Sequence, residues 1–203
     1  MPPRGGRGPQ TSPRDRANLA CHPLTPDRWG DLELLFGPER GAVAGCWCMW
    51  FKLSRPQWEA RGRAGRKAAF RAEVEAGPPP GILAYAGTEP VGWCAVAPRS
   101  AYPAIERSRI TRPVDARPAF AITCFYLAPR WRRRGLMRPM IEAALAFAKE
   151  QGAVLVEAYP LDPPIGERPS GAFRGIPGPF RDLGFVEVAR RSPTRPILRR
   201  ELA

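Results

Sequence analysis

The sequence predicts a single α/β (α+β) domain, and three observations support this fold class. The chain has 203 residues, of which 44% are hydrophobic and 25% charged, as is typical of one globular domain with a full core. Residues 119–159 show a strand, a bend, a helix and a second strand in that order. Residues 81–98 and 184–202 each show two strand patterns around a short turn, which is typical of β-hairpins.

The first elements are a strand and a helix. "NLACHPL", residues 18–24, has the apolar alternation of a strand. The next helix has Thr25 as its expected N-cap, Pro26 at its first position and Gly37 at its end. Its apolar residues recur at helical spacing and predict a buried stripe: Trp29, Leu32, Leu35 and Phe36.

The middle of the chain is more basic. "GCWCMWFKL", residues 45–53, is a dense aromatic stretch without a clear period, so we predict no element there. A basic helix is expected over residues 56–76, followed by the hairpin, which turns at Thr88 and Glu89. Residues 99–118 are predicted to form a long basic loop.

The last third repeats strands and one helix. A strongly apolar strand is expected over residues 119–128, and "AVLVEAY" forms another over residues 153–159. Between them lies a helix over residues 136–151, with Gly152 as its C-terminal cap. Its expected buried stripe consists of Met140, Ile141, Ala144, Leu145 and Ala148. A Pro/Gly-rich loop then leads to a closing hairpin that turns at Pro193 and Thr194.

Composition also suggests where the protein works. Residues 1–16 are rich in Gly, Pro and Arg, and we expect a disordered basic tail ahead of a domain at residues 17–203. That tail has no apolar segment of a secretory signal, and no stretch of the chain is apolar enough to span a bilayer. With five cysteines, an odd number, we expect a cytoplasmic protein without disulfides or membrane contact.

The net charge of +13 is concentrated in three places. Most of the excess arginine lies in residues 1–16, 130–138 and 190–203, which leaves the rest of the chain close to neutral. A broad basic face for nucleic acid is therefore not expected, although binding of nucleic acid through the Arg-rich ends remains an alternative.

One of these places is a bend that precedes a helix. In "YLAPRWRRRGLM" four arginines are crowded before Gly135, and such crowding costs stability unless an anion binds there. A helix that begins directly after a strand presents free backbone N–H groups, and glycine lets the backbone approach a ligand closely. Guanidinium groups suit phosphate oxygens. The pattern predicts a site for phosphate or pyrophosphate.

The same bend resembles the signature of the GNAT superfamily of acyl-CoA-dependent N-acetyltransferases. That signature has Arg or Gln, two residues, Gly, one residue, and then Gly or Ala, after a strand that ends in an aliphatic residue, any residue and Pro. Here Leu127 and Pro129 end the strand, and Arg132 and Gly135 occupy the first two motif positions. Met137 stands where Gly or Ala is usual. "FRDLGFVEV" resembles the family's closing helix, Gly-Phe pair and strand, and stretches such as "VGWCAVAPR" resemble a bacterial subgroup of unknown acceptor.

The resemblance implies a fold and an activity. The fold would be a mixed, mostly antiparallel sheet of six to seven strands, splayed at its centre and flanked by helices. The activity would be transfer of an acetyl group from acetyl-CoA to a primary amine by direct attack in a ternary complex. The acceptor would be a small molecule and no metal would be needed. A catalytically inactive acyl-CoA sensor is an alternative, and a homodimer is left open.

The resemblance also implies which residues bind acetyl-CoA. Backbone groups of Phe125 and Leu127 would bind the pantetheine arm, and the Leu127 N–H would polarise the thioester carbonyl. The expected residues of the Arg–Gly bend that hold the pyrophosphate are Arg132, Arg133, Arg134, Gly135, Leu136 and Met137.

The expected reaction also calls for a general acid and a general base. The amine must lose a proton and the leaving thiolate must gain one. Many family members place a Tyr four residues before the Gly-Phe pair, where this chain has Phe180. Glu157 and Tyr159 are the expected replacements, because alternate strand positions share a face and a Glu in an apolar strand demands explanation. Burial could raise the pKa of Glu157. The alternative is a carboxylate paired with an Arg, and a rim position for Tyr159.

Aromatic residues and cysteines suggest two further sites. Trp47, Met49 and Trp93 are candidates for the wall of the acceptor pocket, with ordinary core packing as the alternative. Cys46 and Cys48, with Cys94 and Cys124, could supply four thiolates. Their spacing is not that of a zinc site and free cysteines are usually buried, so no metal is predicted.

Overall fold

The computed structural model describes residues 19–37, 41–164 and 172–202. Over these residues the backbone forms seven strands, with these bounds: β1 Leu19–Pro23, β2 Gly81–Ala86, β3 Glu89–Pro98, β4 Phe120–Leu127, β5 Leu155–Ala158, β6 Val186–Arg190 and β7 Pro196–Glu201. All belong to one sheet with the order β1-β2-β3-β4-β5-β7-β6. The predicted basic tail, residues 1–16, lies outside the described residues.

Pairing in the sheet is antiparallel except between β4 and β5, which are parallel. Both predicted hairpins are present, β2 with β3 and β6 with β7. β7 lies between β5 and β6, so it borders β5 although β6 comes between them in the sequence. The prediction of a mostly antiparallel sheet of six to seven strands, splayed at its centre and flanked by helices, is confirmed.

The described residues contain five α-helices, with these bounds: α1 Trp29–Phe36, α2 Arg55–Ala76, α3 Pro103–Arg107, α4 Met137–Glu150 and α5 Pro177–Arg181. A 3₁₀ turn at Pro26–Arg28 precedes α1, with Thr25 extended before it. α2 starts with a capping box between Ser54 and Gln57 and changes direction at Gly62. None of these helices has the length and apolar character needed to cross a membrane.

The helices cover both faces of the sheet. α4 packs on one face through its predicted stripe, whose five residues are all buried. α1 and α2 cover the other face with an aromatic cluster around Trp29, Phe70 and Trp93. Residues 99–118, predicted to be a loop, include the short helix α3, whose Ile105 is buried between the sheet and the 45–53 stretch.

The aromatic stretch 45–53 forms turns on the α1–α2 face. Trp47 and Cys48 have left-handed backbones, with φ of 43° and 55°. Left-handed conformations are uncommon for residues with a side chain, so the cost is met by packing. Trp47 is stacked on Trp29 with ring centroids 5.8 Å apart, and the indole N–H of Trp93 donates to the Cys48 sulfur at 2.8 Å.

Candidate active site

The centre of the site is the gap between β4 and β5. The two strands pair only through residues 120–122 of β4, and β4 then continues without a partner on that edge. On its other edge β4 pairs with β3, and the Ala128 N–H donates to the Val91 carbonyl at 3.0 Å. Hydrogen-bonding directions alternate along a strand, so the backbone groups of Phe125 and Leu127 face the gap. These are the two residues whose backbone groups are expected, from the resemblance, to bind the pantetheine arm.

The Arg–Gly bend follows directly after this open edge. A 3₁₀ turn at Pro129–Trp131 leads into Arg133 and Gly135, which have left-handed φ values of 60° and 73°. The first backbone hydrogen bond of α4 runs from the Met140 N–H to the Leu136 carbonyl. Within the described part of the chain, the N–H groups of residues 133–137 have no hydrogen-bond acceptor. Five successive donors are therefore without an acceptor at the positive end of a helix, which is a place that binds oxyanions.

The arginines of the bend differ in their partners. Arg130 pairs with Glu89, which also accepts from the Trp131 indole at 3.2 Å. Arg132 lies over the Tyr126 ring and donates from Nε to the Leu127 carbonyl at 2.9 Å. Among the described residues, Arg133 and Arg134 have no carboxylate partner, and Arg134 only stacks over Trp131. Two charges of the bend are thus free for a ligand.

A cavity of about 410 Å³ opens at the same edge of β4, on the α1–α2 face. A second cavity of about 320 Å³ adjoins it and shares four lining residues: Trp50, Trp58, Arg174 and Arg195. The larger cavity reaches Cys124, Phe125 and Tyr126 of β4. The bend and the cavity therefore approach the same short stretch of β4 from two directions.

The 45–53 stretch lines the larger cavity, but not through the residues that the sequence suggested. Trp47, Met49 and Trp93 line neither cavity, because all three are buried in the aromatic core. The turns of the 45–53 stretch instead present Cys46, Cys48 and Trp50 to the larger cavity.

Sequence reasoning missed Arg174 and Arg195. Arg174 follows the long loop after β5, and Arg195 lies in the turn between β6 and β7. Neither stands in a motif, and only the fold brings them to one cavity.

Glu157 and Tyr159 share one face, as predicted, and they are in direct contact. The Tyr159 hydroxyl donates to Glu157 Oε2 at 2.5 Å, and Arg99 Nη1 donates to the same oxygen at 3.1 Å. The other oxygen of Glu157 accepts from Arg199 Nη2 at 2.5 Å. Burial raises the pKa of Glu157, but these three donors outweigh it and hold the pKa below its ordinary value.

Burial alone would raise the pKa of Glu157, whereas the network of donors lowers it. Glu157 is 1% exposed, and neither Glu157 nor Tyr159 lines a cavity. Burial and the neighbouring carboxylate raise the pKa of Tyr159 well above its ordinary value. The geometry matches the alternative interpretation, a carboxylate paired with arginines, more closely than that of a free base.

Phe180, where the resemblance would place a Tyr, is fully buried. Its ring contacts Phe125 and Phe185 edge-on, with centroids 6.0 and 5.2 Å apart. It supports the α4 face of β4 behind the gap.

All five cysteines are free thiols. Among the described residues, no group of three or more His, Cys, Asp or Glu side chains is arranged to hold a metal ion. Cys48 and Cys94 are buried, and burial raises the pKa of both thiols well above the ordinary value.

Comparison with known proteins agrees with this geometry. The model of the acetyltransferase (GNAT) family matches residues 47–162, more than half of the chain. A comparison with curated proteins gave no match.

Solved structures share the fold at low sequence identity. The NatC complex bound to Gag peptide and CoA has a TM-score of 0.53 and 13% identity, over 92% of this chain and 99% of that chain. A mutant agmatine N-acetyltransferase in its apo form has a TM-score of 0.50 and 11% identity, over 91% of this chain and 100% of that chain. An acetyltransferase from Thermus thermophilus has a TM-score of 0.48 and 21% identity, over 91% of this chain and 97% of that chain. The resemblance noted in the sequence is confirmed by the family match, and the chain belongs to the GNAT family of acetyltransferases.

Proposed function

We propose that this protein transfers the acetyl group of acetyl-CoA to the primary amine of a small-molecule acceptor, by direct attack in a ternary complex. Membership of the family makes the chain an acyltransferase with acetyl-CoA as its co-substrate. The acceptor class, the direct attack and the residues that serve it are the proposed part.

The observation that carries the proposal is the meeting of two compartments at one open strand edge. The bend with its unpartnered N–H groups follows Leu127, and the larger cavity reaches Phe125 and Tyr126. A donor held by the bend and an acceptor held in the cavity would come together at the gap between β4 and β5. Bringing two reactants together in this way supplies a large part of the rate enhancement in direct transfer.

The residues of the bend fit a pyrophosphate. The N–H groups of residues 133–137 lack acceptors among the described residues, and Arg133 and Arg134 lack carboxylate partners there. Gly135 adopts a left-handed backbone, which a residue without a Cβ takes without strain. Met137 contributes its backbone N–H, so its side chain does not remove the donor that a Gly or Ala would supply.

Acetyl-CoA, when bound, supplies the activated acetyl thioester. The Leu127 N–H, which faces the gap, would donate to the thioester carbonyl and stabilise negative charge on that oxygen. Backbone groups of Phe125 and Leu127 would hold the pantetheine arm in register with β4. The new N–C bond forms as the C–S bond breaks, and no nucleophile from the protein is required.

For proton transfer, Glu157 and Tyr159 are the residues to test. The amine loses one proton and the leaving thiolate gains one. The arginine pairs of Glu157 favour a role in holding β5, β7 and Tyr159 in place over a role as base. With no dedicated base, the amine would bind in its neutral form and lose its proton to water in the cavity.

Thermal unfolding with and without acetyl-CoA tests the first half of the proposal. At about one hundred times Kd a ligand stabilises the native state by about 2.7 kcal/mol. For a chain of this size the midpoint should rise by about 5–10 °C. ATP and a short RNA serve as controls for phosphate and nucleic acid. A shift with RNA alone, or none with acetyl-CoA, would contradict the proposal.

The second half is tested by turnover with a panel of amines. An enzyme acetylates at least one amine with release of a free thiol, which a thiol reagent detects. Tight acetyl-CoA binding without transfer to any amine would instead support the acyl-CoA sensor.

A further inference from the structure

We propose that Arg174 and Arg195 form an anion subsite in the acceptor cavity, and that the acceptor is an amine that also carries a carboxylate. The inference rests on the proposed function and deepens it, since it names the class of the acceptor. It follows from the position of the two side chains, their lack of partners and the character of the surrounding wall.

Both arginines line both cavities. They come from distant parts of the chain: Arg174 from the segment before α5, and Arg195 from the turn between β6 and β7. The same larger cavity reaches Cys124 and Tyr126 on β4, near the gap where the transfer is proposed. An acceptor in this cavity would therefore contact the open edge of β4 with one end and the arginines with another part.

Neither guanidinium is neutralised by the part of the chain that the structure describes. Arg195 Nη1 is buried and has no hydrogen-bond partner. Arg174 makes no ion pair there, and its guanidinium lies over the rings of Phe51 and Phe173, 4.7 and 5.5 Å from their centroids. Burial, and then the positive charge of Arg195, lower the pKa of Arg174 to about 10.

Two close cations without a counter-ion are costly in a half-buried place. The other buried arginines have partners: Arg99 and Arg199 both bind Glu157, and Arg66 donates to the carbonyls of Gly45 and Trp58. The described residues that line the two cavities include no Asp or Glu. A charged ligand group is the missing partner that would account for the difference.

The wall of the cavity narrows the class of ligand. Trp50, Trp58 and Phe36 supply apolar surface, which suits an aliphatic or aromatic body rather than a strongly hydrated one. The planar fork of a guanidinium matches the two oxygens of a carboxylate. A diamine or polyamine would place a second ammonium group against two cations, so acceptors of that class should be rejected.

Matched acceptors test the proposal directly. The series runs from glycine to 6-aminohexanoate, and each ω-amino acid is compared with the alkylamine and the diamine of the same chain length. Phenylalanine and phenethylamine form an aromatic pair. We expect kcat/KM to be highest for the amino acids at the best chain length, by about tenfold or more over the alkylamine, with the diamine lowest.

Variants connect that preference to the two arginines. In Arg174→Met and Arg195→Met, KM for the amino acid should rise about tenfold or more while KM for the uncharged alkylamine stays within about twofold. Arg107→Met, at an exposed arginine of α3, is the matched control and should change neither.

Stability gives a second readout that separates binding from support of the fold. Arg174 stays protonated at neutral pH, but its lowered pKa means that this charge is less favourable in the folded state than in the unfolded chain, so its removal should not lower the unfolding midpoint. We expect Arg174→Met to keep or raise the midpoint by about 2–4 °C. A lowered midpoint together with an unchanged KM would show a structural arginine and overturn the proposal.

The outcomes for the subsite and for the proposed function are distinguishable. If acetyl-CoA stabilises the protein but the diamine is acetylated as well as the amino acid, or no anionic amine is acetylated, the anionic-acceptor assignment is wrong and acetyl-CoA binding stands. If acetyl-CoA gives no shift, the proposed function itself fails. An aminoalkylphosphonate that replaces the ω-amino acid at much higher kcat/KM would overturn the choice of carboxylate.

Discussion

Replacement of Glu157 by glutamine separates its two roles, base or ion-pair partner. Both carboxylate oxygens accept hydrogen bonds: Oε1 from Arg199, and Oε2 from Arg99 and Tyr159. Glutamine has nearly the same shape but keeps only one acceptor oxygen, and it turns an NH₂ group toward a guanidinium. The variant therefore leaves two buried arginines with less negative charge than they need.

The expected loss of stability depends on which partners Arg99 and Arg199 keep in the variant. Removing one partner of a buried pair typically costs about 3–5 kcal/mol. Arg199 keeps its pair with Asp115, and Arg99 keeps the carbonyl of Arg117. The lower end applies, a loss of about 3 kcal/mol in the free energy of unfolding. For a chain of this size that is a fall of about 6–12 °C in the unfolding midpoint.

The loss should also depend on pH. The folded-state pKa of Glu157 lies below its ordinary value of 4.5, so the folded protein favours the ionised form. That stabilisation is complete above the ordinary pKa and disappears as the pH falls through the lowered folded-state pKa. The difference between wild type and Glu157→Gln should be full at pH 7 and should shrink in acid below pH 4.5.

Denaturant unfolding at pH 7 and in acid measures both effects. Glu201→Gln is the control, since Glu201 pairs with Arg117 at the surface with 63% of its side chain exposed, and it should change stability much less than Glu157→Gln does. Acetyl-CoA affinity and kcat are measured on the same samples. Native stability in Glu157→Gln with a large fall in kcat and a lost pH dependence would refute the ion-pair interpretation and identify Glu157 as the base.

Two further predictions concern the bend and the order of chemistry. Gly135→Ala places a methyl group on a left-handed backbone of φ 73°, and calorimetry should show acetyl-CoA affinity reduced about tenfold. Gly152→Ala, with φ 81° and open space around the added carbon, has the same backbone cost and should leave that affinity unchanged. Burial, and then the nearby Cys48, raise the pKa of the Cys46 thiol to about 12, so it stays protonated at neutral pH. Cys46→Ser should therefore retain activity, and double-reciprocal plots of its initial rates should show intersecting lines. Parallel lines in the wild type, together with loss of activity in the variant, would indicate an acyl-cysteine.

The elements that the sequence predicts well are those with a strong local pattern. The helix expected over residues 136–151 is α4, Met137–Glu150, because its apolar residues repeat at the helical period. The β2–β3 hairpin is predictable because a short polar segment separates two apolar runs, although its turn lies at Gly87 and Thr88, one residue before the predicted pair, and Glu89 already belongs to β3. The bend between β4 and α4 is predictable for the same reason, since strand, glycine and helix start are adjacent in the chain.

The remaining features depend on contacts between distant residues. No period predicts the turns of the 45–53 stretch, where a left-handed Trp47 is held by stacking on Trp29. The partners of Glu157 come from β7 and from the segment after β3, so its low pKa cannot be inferred from an apolar strand with one Glu in it. Arg195 reaches the cavity only because β7 inserts between β5 and β6.

The arginines of the described residues fall into two groups according to their partners. Arginines such as Arg99 and Arg199 are matched by carboxylates and hold β5 to its neighbours, so their loss should reduce stability. Among the described residues, the bend leaves three arginines and the cavity two without a carboxylate, at the two places where ligands are proposed to bind. Unmatched like charges destabilise the free protein. Bound anions would remove that repulsion, so acetyl-CoA and an anionic acceptor should each stabilise the fold most at low salt, where charges are least screened.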